Sequence, residues 1–138
     1  MQQSSIENIK IIELPLFKDI KKGSLIAMES KNLSIEIKRV FQIIAPKNSI
    51  RGEHSHKIHT QIMICSSGVI EIECDDGKSK KTFSLSRPNI GLSVPPNIWS
   101  KQTYKTDQSI LTVFADAEYD ESEYVRDYRS FLKLKNIN

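Results

Sequence analysis

Residues 69–77 read Val-Ile-Glu-Ile-Glu-Cys-Asp-Asp-Gly, and this stretch decides the fold class. Apolar and acidic residues alternate over positions 70–74, which is the period-two pattern of a strand with one buried face. The Asp-Asp-Gly that follows readily supplies the positive φ values of a tight turn. The stretch therefore predicts one arm of a β-hairpin together with its turn.

The same pattern continues in both directions from this hairpin. Short runs rich in Ile, Val and Phe are separated by turn residues, and sustained helical spacing is absent before the C-terminal end. The predicted strands are 9–14, 24–28, 35–44, 61–65, 69–74, 81–85, 90–94 and 110–115. So many short strands predict an all-β jelly-roll barrel of the cupin type, in which closure or sheet packing protects the strand edges.

Near the C-terminus the pattern changes to helical spacing. Asp120 can cap a helix with Glu123 three residues later, and Tyr124, Tyr128 and Phe131 would share one face of that helix. We expect a short C-terminal helix that packs on the barrel or on a second subunit.

Length and composition describe one soluble domain, residues 1–138, with 38% hydrophobic and 27% charged residues. The net charge of +3 is spread along the chain, which suits a small anionic ligand such as a diphosphate and argues against a nucleic-acid surface. No apolar run has the length of a secretion signal or a membrane span, so we expect no membrane partner and a cytoplasmic protein. Cys65 and Cys74 are expected to be buried free thiols.

All three histidines lie in residues 51–59, Arg-Gly-Glu-His-Ser-His-Lys-Ile-His. In an extended chain successive side chains alternate, so His54 and His56 would share a face and His59 would point the other way. Two imidazoles on one face of a barrel strand indicate either metal ligands or an acid/base pair. His59 is expected to be structural or to lie at a subunit contact.

The residues around these histidines argue against a metal. A metal cupin typically has a glutamate four or five residues after its His-x-His pair and a further histidine late in the chain. Gln61 occupies the glutamate position here, and Ser100 aligns with the last histidine. An amide and a neutral hydroxyl are much weaker ligands than a carboxylate and an imidazole. We therefore expect no metal and no cofactor, which leaves His54 and His56 for proton transfer and makes a cupin dioxygenase the least favoured interpretation.

Residues 51–57, followed by Gln61, resemble the R-G-x-H-x-H-K…Q segment of the sugar 3,4-ketoisomerases, also called the WxcM-like family. Further matches occur in the family's order along nearly the whole chain. They are Lys22-Gly23-Ser24-Leu25, Ile37-Lys38-Arg39-Val40, Asp75-Asp76-Gly77, Val94-Pro95-Pro96 with Trp99, Tyr119-Asp120-Glu121, and Tyr124-Val125-Arg126-Asp127-Tyr128 with Phe131.

The resemblance implies an RmlC-like cupin isomerase, active as a homodimer, that acts on a dTDP-linked 4-keto-6-deoxyglucose. The enzyme would move the carbonyl from carbon 4 to carbon 3 through an enediol, with no redox cofactor. A ketone acidifies the neighbouring carbon, so a base can remove the carbon 3 proton and reprotonation at carbon 4 completes the shift. The product would serve the synthesis of a 3-amino-3,6-dideoxy sugar for a surface glycan such as lipopolysaccharide.

By this match His56 is the leading base and His54 is its partner. Arginines pair bidentately with phosphate oxygens, and aromatic faces can stack on thymine or on the sugar. The residues predicted to bind substrate are Arg39, Arg51 and Arg126 for the diphosphate, with Lys57, Gln61, Trp99 and Tyr119.

Three positions depart from the family pattern, namely Lys22, Gln42 and Ser100. Many members carry histidine or arginine where Ser100 stands, and the departures leave the configuration at carbon 4 of the product open. They favour one alternative, a nucleotide-sugar-binding cupin without turnover, which the retained His54 and His56 oppose. A dTDP-sugar 3,5-epimerase is a second alternative, but it typically relies on a His-Asp dyad and a tyrosine acid.

Overall fold

The computed structural model describes residues 4–137, most of which lie in antiparallel strands. In chain order the strands are β1 (Lys10–Glu13), β2 (Leu16–Asp19), β3 (Gly23–Ile26), β4 (Arg39–Ala45), β5 (Ile50–His56), β6 (Gln61–Ser67), β7 (Ile70–Asp75), β8 (Lys80–Leu85), β9 (Ile90–Val94), β10 (Trp99–Tyr104), β11 (Ser109–Ala115) and β12 (Tyr124–Val125). The helices are α1 (Ser30–Leu33) and α2 (Tyr128–Leu134), with 3-10 turns at Ile6–Asn8 and Glu121–Glu123. None of the helices within residues 4–137 has the length and apolarity needed to cross a bilayer.

Two five-stranded sheets face each other across the main core. The first has the order β1-β9-β6-β11-β4, the second has the order β12-β5-β10-β7-β8, and β2 pairs with β3 in a separate hairpin. Met63 and Leu111 of the first sheet pack in one buried cluster with Ile72 and Tyr104 of the second. The prediction of an all-β jelly-roll with a short C-terminal helix is confirmed.

The hairpin predicted from residues 69–77 is the β7–β8 pair, in which Ile70 lies opposite Leu85. Its turn is held by Asp75 Oδ1, which accepts the backbone N–H of Gly77 at 2.7 Å, and Gly77 has a φ of 94°. Cys65 and Cys74 are buried free thiols, as predicted.

Four strands were not predicted: β2, β5, β10 and β12. β5 and β10 read Ile-Arg-Gly-Glu-His-Ser-His and Trp-Ser-Lys-Gln-Thr-Tyr, so neither carries the apolar alternation that marks a strand in sequence. Both strands contribute polar side chains to a cavity between the sheets. A strand that lines a polar cavity therefore escapes a search based on hydrophobic periodicity.

The C-terminal helix begins later than predicted. Asp127 caps α2, because its side chain accepts the backbone N–H of Ser130. Asp120 instead caps the short 3-10 turn, and Tyr124 lies in β12, where it pairs with His56. The prediction that Tyr124 belongs to the helix is wrong, since the chain is extended between Glu123 and the start of α2.

A bulge in β5 shapes the cavity. Ser100 lies opposite His54 and Lys101 lies opposite Gly52, so Glu53 is the extra residue of β5. Gly52 and Glu53 have φ values of 87° and 58°, as bulges with a glycine often require. The extra residue shifts the alternation of side chains along β5 by one position. As a result, Arg51 and His54, which are three residues apart, face the same side of the strand.

Candidate active site

A polar cavity of about 470 Å³ lies between the two sheets. Five of the predicted site residues line it, and they come from β4, β5, β6 and the segment after β12. They are Arg39, Arg51, His54, Gln61 and Arg126. Arg51 and His54 share this cavity because of the bulge between them, although strict alternation would place them on opposite faces.

The other four predicted residues, including His56, lie outside the cavity lining. Trp99 packs edge-on against Tyr128, with ring centroids 5.3 Å apart, and so contacts α2. The Lys57 ammonium donates a hydrogen bond to the carbonyl of Ser122 at 3.1 Å. Tyr119 is exposed at the rim, where the Arg39 guanidinium lies 5.0 Å from its ring centre.

His54 and His56 lie side by side, with ring centroids 5.0 Å apart in an edge-to-face arrangement. His54 lines the cavity, and its Nδ1 lies 3.1 Å from the carbonyl oxygen of Gly52. Because a carbonyl only accepts, Nδ1 carries the hydrogen and Nε2 keeps a lone pair. Burial, together with the neighbouring His56, lowers the pKa of His54 to about 4. His54 is therefore a neutral imidazole at pH 7.

Glu123 accepts a hydrogen bond from the His56 ring. The Glu123 side chain is buried, and its Oε1 accepts a short hydrogen bond from Nδ1 of His56. Its Oε2 accepts backbone N–H groups from Lys57 at 3.1 Å and Ile58 at 3.2 Å. Burial raises the pKa of Glu123, but the hydrogen bonds from His56 and the Ile58 backbone, together with the charges of the two histidines, outweigh that effect and keep the pKa below its usual value. Glu123 is therefore an ionised acceptor.

An ionised carboxylate fixes the tautomer of His56. Nδ1 must carry the hydrogen that Glu123 accepts, so Nε2 of the neutral ring carries the lone pair. Burial lowers the pKa of His56, although Glu123 opposes that shift. Nε2 has no hydrogen-bond partner among residues 4–137. His56 thus has the protonation state and the unpaired nitrogen of a general base.

His59 also reaches this carboxylate. Its ring stacks on that of His56, with centroids 5.5 Å apart, and its Nδ1 lies 3.0 Å from Oε1 of Glu123. The prediction that His59 points away from His56 is wrong, because the chain bends at Lys57 and Ile58 and leaves the extended conformation. Within residues 4–137, His56, His59 and Glu123 are the one set of three side chains spaced to hold a metal ion. Of the three, only His56 belongs to the cupin metal pattern, in which Gln61 and Ser100 occupy two other positions.

Sequence reasoning missed three further residues of the site: Tyr124, Gln102 and Glu123. The Tyr124 ring lies 5.0 Å from His54 and 4.4 Å from His56, where the β12 pairing places it. Gln102 lines the cavity from β10. A carboxylate is a common partner of a basic histidine, but Glu123 is 67 residues away from His56 in sequence, so no local spacing signals their contact.

The cavity mouth is rich in guanidinium groups. Arg126 donates from Nε to Glu121 Oε1 at 2.6 Å and from Nη2 to Oε2 at 3.0 Å. These hydrogen bonds from Arg126 lower the pKa of Glu121 to about 2. The Arg126 guanidinium also lies over the Tyr124 ring, and Arg39 lies over Phe41. Such a rim suits an anionic ligand.

Comparison with known proteins identifies relatives over nearly the whole length. A curated TDP-4-oxo-6-deoxy-alpha-D-glucose-3,4-oxoisomerase of Aneurinibacillus thermoaerophilus is 36% identical over 120 residues, which are 85% of this chain and 86% of that protein. A 3,4-ketoisomerase structure from Helicobacter canadensis is 39% identical with a TM-score of 0.89, and the match covers 94% of this chain and 98% of that one. The sugar 3,4-ketoisomerase QdtA of Thermoanaerobacterium thermosaccharolyticum, solved with TDP, is 30% identical with a TM-score of 0.91, covering 96% and 97%.

More distant structures share the fold alone. The RmlC epimerase of Mycobacterium tuberculosis is 13% identical and has a TM-score of 0.75 over 89% of this chain and 70% of that one. The predicted RmlC-like cupin fold is thereby confirmed. A family profile described as "FdtA: WxcM-like, C-terminal" matches residues 7–136. Since that match covers almost all of the sequence, the chain belongs to the FdtA family of WxcM-like proteins.

Proposed function

We propose that this protein is a 3,4-ketoisomerase that moves the keto group of TDP-4-keto-6-deoxyglucose from carbon 4 to carbon 3. One arrangement carries the proposal: His54 lines the cavity, His56 lies directly beside it, both rings are neutral, and each has Nδ1 held by an acceptor. That arrangement leaves both Nε2 atoms with lone pairs. The names and the TDP complex of the family relatives give the substrate class.

The reaction needs one base and a proton relay between two oxygens. Nε2 of His56 takes the proton from carbon 3, and the electrons of the C–H bond form a double bond to carbon 4. The carbonyl oxygen at carbon 4 becomes the enediol oxygen and is protonated, while the hydroxyl at carbon 3 loses its proton and becomes the new carbonyl. The imidazolium of His56 then returns its proton to carbon 4, so no electrons leave the substrate and no redox cofactor is required.

His54 is suited to the relay between the two oxygens. It lies at the cavity wall and is neutral, so it can accept a proton at Nε2 and release it again within one turnover. Glu123 acts through His56, because its negative charge stabilises the imidazolium that forms when the proton is taken. Imidazoles supply all of this chemistry, and Gln61 and Ser100 offer poor ligands for a catalytic metal.

The guanidinium groups of the cavity lining suit a diphosphate. We assign Arg39, Arg51 and Arg126 to the diphosphate, since all three line the cavity and guanidinium pairs with phosphate oxygens. Tyr119 offers an aromatic face at the rim, and Gln61 offers an amide within the cavity. Lys57 and Trp99 lie outside the lining, and we assign neither a direct contact with substrate.

We further propose a cytoplasmic homodimer whose product enters synthesis of a 3-amino-3,6-dideoxy sugar, as for lipopolysaccharide. Exposed apolar side chains support association. Val40 and Ile44 are 52% and 68% exposed on β4, which is an edge strand, and Ile11 is 64% exposed on β1 at the opposite edge. Light scattering of the purified protein tests the dimer.

Proton NMR of TDP-4-keto-6-deoxyglucose in deuterated buffer tests the activity. We expect loss of the carbon 3 proton signal and growth of a 3-keto product with the wild-type protein. His56→Asn should abolish both changes and retain binding of TDP, measured by calorimetry. The wild-type protein mixed with TDP alone is the control for binding without chemistry.

Two other results would replace the proposal. If the sugar nucleotide binds and its spectrum stays unchanged, the protein is a nucleotide-sugar-binding cupin. If deuterium enters carbons 3 and 5 and the carbonyl stays at carbon 4, the protein is an epimerase.

A further inference from the structure

The wall of the cavity contains the Gln102 amide, and a hydrogen bond from Tyr104 fixes the orientation of that amide. Gln102 of β10 lines the cavity and is 4% exposed. The hydroxyl of Tyr104, two residues along the same strand, donates to Oε1 of Gln102 at 3.1 Å. Tyr104 is fully buried, and burial raises its pKa to about 12, so the hydroxyl keeps its hydrogen.

The Tyr104 hydroxyl decides which way the amide faces. Gln102 provides the one hydrogen-bond partner of that hydroxyl within residues 4–137. If the amide turned over, its nitrogen would face the hydroxyl, and the hydroxyl hydrogen would be buried without an acceptor. Buried donors without acceptors are rare in native proteins because they are costly. Oε1 therefore faces Tyr104, and the amide nitrogen is directed away from it.

The amide nitrogen lies next to the bulge of β5. Nε2 of Gln102 is 3.4 Å from the point that a Cβ on Gly52 would occupy, so the missing side chain of Gly52 leaves room for it. Gln102 is also two residues from Ser100, which lies opposite His54. Along a strand, residues two apart share a face, so the Gln102 amide and the His54 ring belong to one wall. The Nε2 hydrogens have no acceptor in the part of the chain that the structure describes.

We infer that Gln102 contacts the sugar and donates a hydrogen bond to the oxygen that changes from carbonyl to enediolate, and that Tyr104 is its positioning residue. With Oε1 occupied by Tyr104, the side chain can only donate. A group that only donates favours a carbonyl oxygen, and favours it more as negative charge develops. The inference rests on the proposed isomerase activity. It places a hydrogen-bond donor on β10, two residues after Ser100, whose side chain is short.

Kinetics of three variants test the inference. Gln102→Met keeps the side-chain volume and removes both donors, and it should lower kcat roughly 100-fold, as removal of one oxyanion donor does elsewhere. TDP affinity should stay within about twofold, because the amide contacts the sugar and not the nucleotide. Tyr104→Phe removes the hydroxyl alone and should lower kcat roughly tenfold by freeing the amide to turn over. Gln108→Met, in an exposed turn, is the matched control and should behave as wild type.

The double variant separates positioning from simple packing. If Tyr104 acts through Gln102, Tyr104→Phe should have no further effect on kcat in the Gln102→Met background. An equal loss in both backgrounds would show that Tyr104 acts independently and would overturn its assignment. A loss of TDP affinity in Gln102→Met as large as the loss of kcat would place the amide at the nucleotide and overturn the assignment of Gln102.

A binding measurement separates this inference from the proposed function. The side-chain NH₂ signals of Gln102, identified by their absence from Gln102→Met, are followed by NMR as ligand is added. We expect a shift with TDP-4-keto-6-deoxyglucose and none with TDP. If that shift occurs in a protein that converts no sugar, the isomerase proposal fails and the contact stands. If the signals move with neither ligand, the inference is wrong.

Discussion

Replacing Gly52 by alanine tests whether the bulge of β5 depends on the absence of a side chain. An added Cβ would lie 2.9 Å from the backbone carbonyl oxygen of Ser100 and 3.5 Å from Cα of Lys101. Both are backbone atoms of a paired strand, so relief requires β5 and β10 to separate. Gly52 also has a φ of 87°, which alanine adopts only with strain.

Gly23 supplies a control that isolates the two costs. Its φ is 85°, nearly the same as that of Gly52, and a Cβ built on it meets no atom within 4 Å. Gly23→Ala should therefore cost only the backbone strain, about 1–2 kcal/mol of unfolding free energy. Gly52→Ala should add an overpacking cost of about 1–3 kcal/mol, for a total of about 2–5 kcal/mol.

The assay is urea unfolding followed by circular dichroism, with the free energy taken from the midpoint and the slope. If the two variants lose the same stability to within about 0.5 kcal/mol, the contact with Ser100 carries no cost and the reasoning fails. Gly52→Ala should also lower kcat more than Gly23→Ala, because the new methyl group approaches the amide nitrogen of Gln102 at 3.4 Å.

Three further predictions concern the charged groups of the site. Glu123→Gln should lower kcat roughly 10³- to 10⁴-fold and retain TDP binding. The new NH₂ group would donate to Nδ1 of His56 and so move the ring hydrogen to Nε2. Unchanged turnover would show that the tautomer of His56 does not depend on Glu123. As the pH is lowered, kcat/KM should decrease between pH 6.5 and about 4. Burial lowers the pKa values of His54 and His56, and activity is lost only as the two rings become protonated. A decrease that begins above pH 7 would contradict this prediction. Glu121→Gln should tighten TDP binding, measured by calorimetry, roughly two- to fivefold. The substitution removes an exposed ion pair and frees the Arg126 guanidinium for the ligand. Weaker binding would show instead that Glu121 positions Arg126 for the ligand.

The strands that could be predicted are those with one buried apolar face, because burial of one face requires apolar residues at every second position. The hairpin from residues 69–77 has one buried face, so its alternation and its Asp-Gly turn are both visible. β5 and β10 could not be found in this way, because their inward side chains line a polar cavity and are themselves polar. These two strands supply His54, His56, Arg51 and Gln102, so two of the least predictable strands carry central residues of the site.

The site itself divides in a similar manner. His54, Arg51 and Gln61 were accessible from a compact motif, although the common wall of Arg51 and His54 depends on the bulge at Gly52, which no period-two pattern shows. Glu123 and the orientation of His59 depend on how β12 and the bend after β5 are placed in three dimensions. Partners that meet across long sequence separations leave no local spacing to read.

The pairing of β12 with the end of β5 makes the site depend on a segment that is synthesised after the first eleven strands. As the chain leaves the ribosome, strands β1 to β11 are all available before Glu123 emerges, so both five-stranded sheets can begin to assemble while His56 still lacks its carboxylate. Cleavage by a protease in the exposed stretch 118–121 would cut the covalent link between the barrel and that carboxylate. After such a cut, activity would depend on whether the hydrogen bonds between β12 and β5 alone keep Glu123 beside His56.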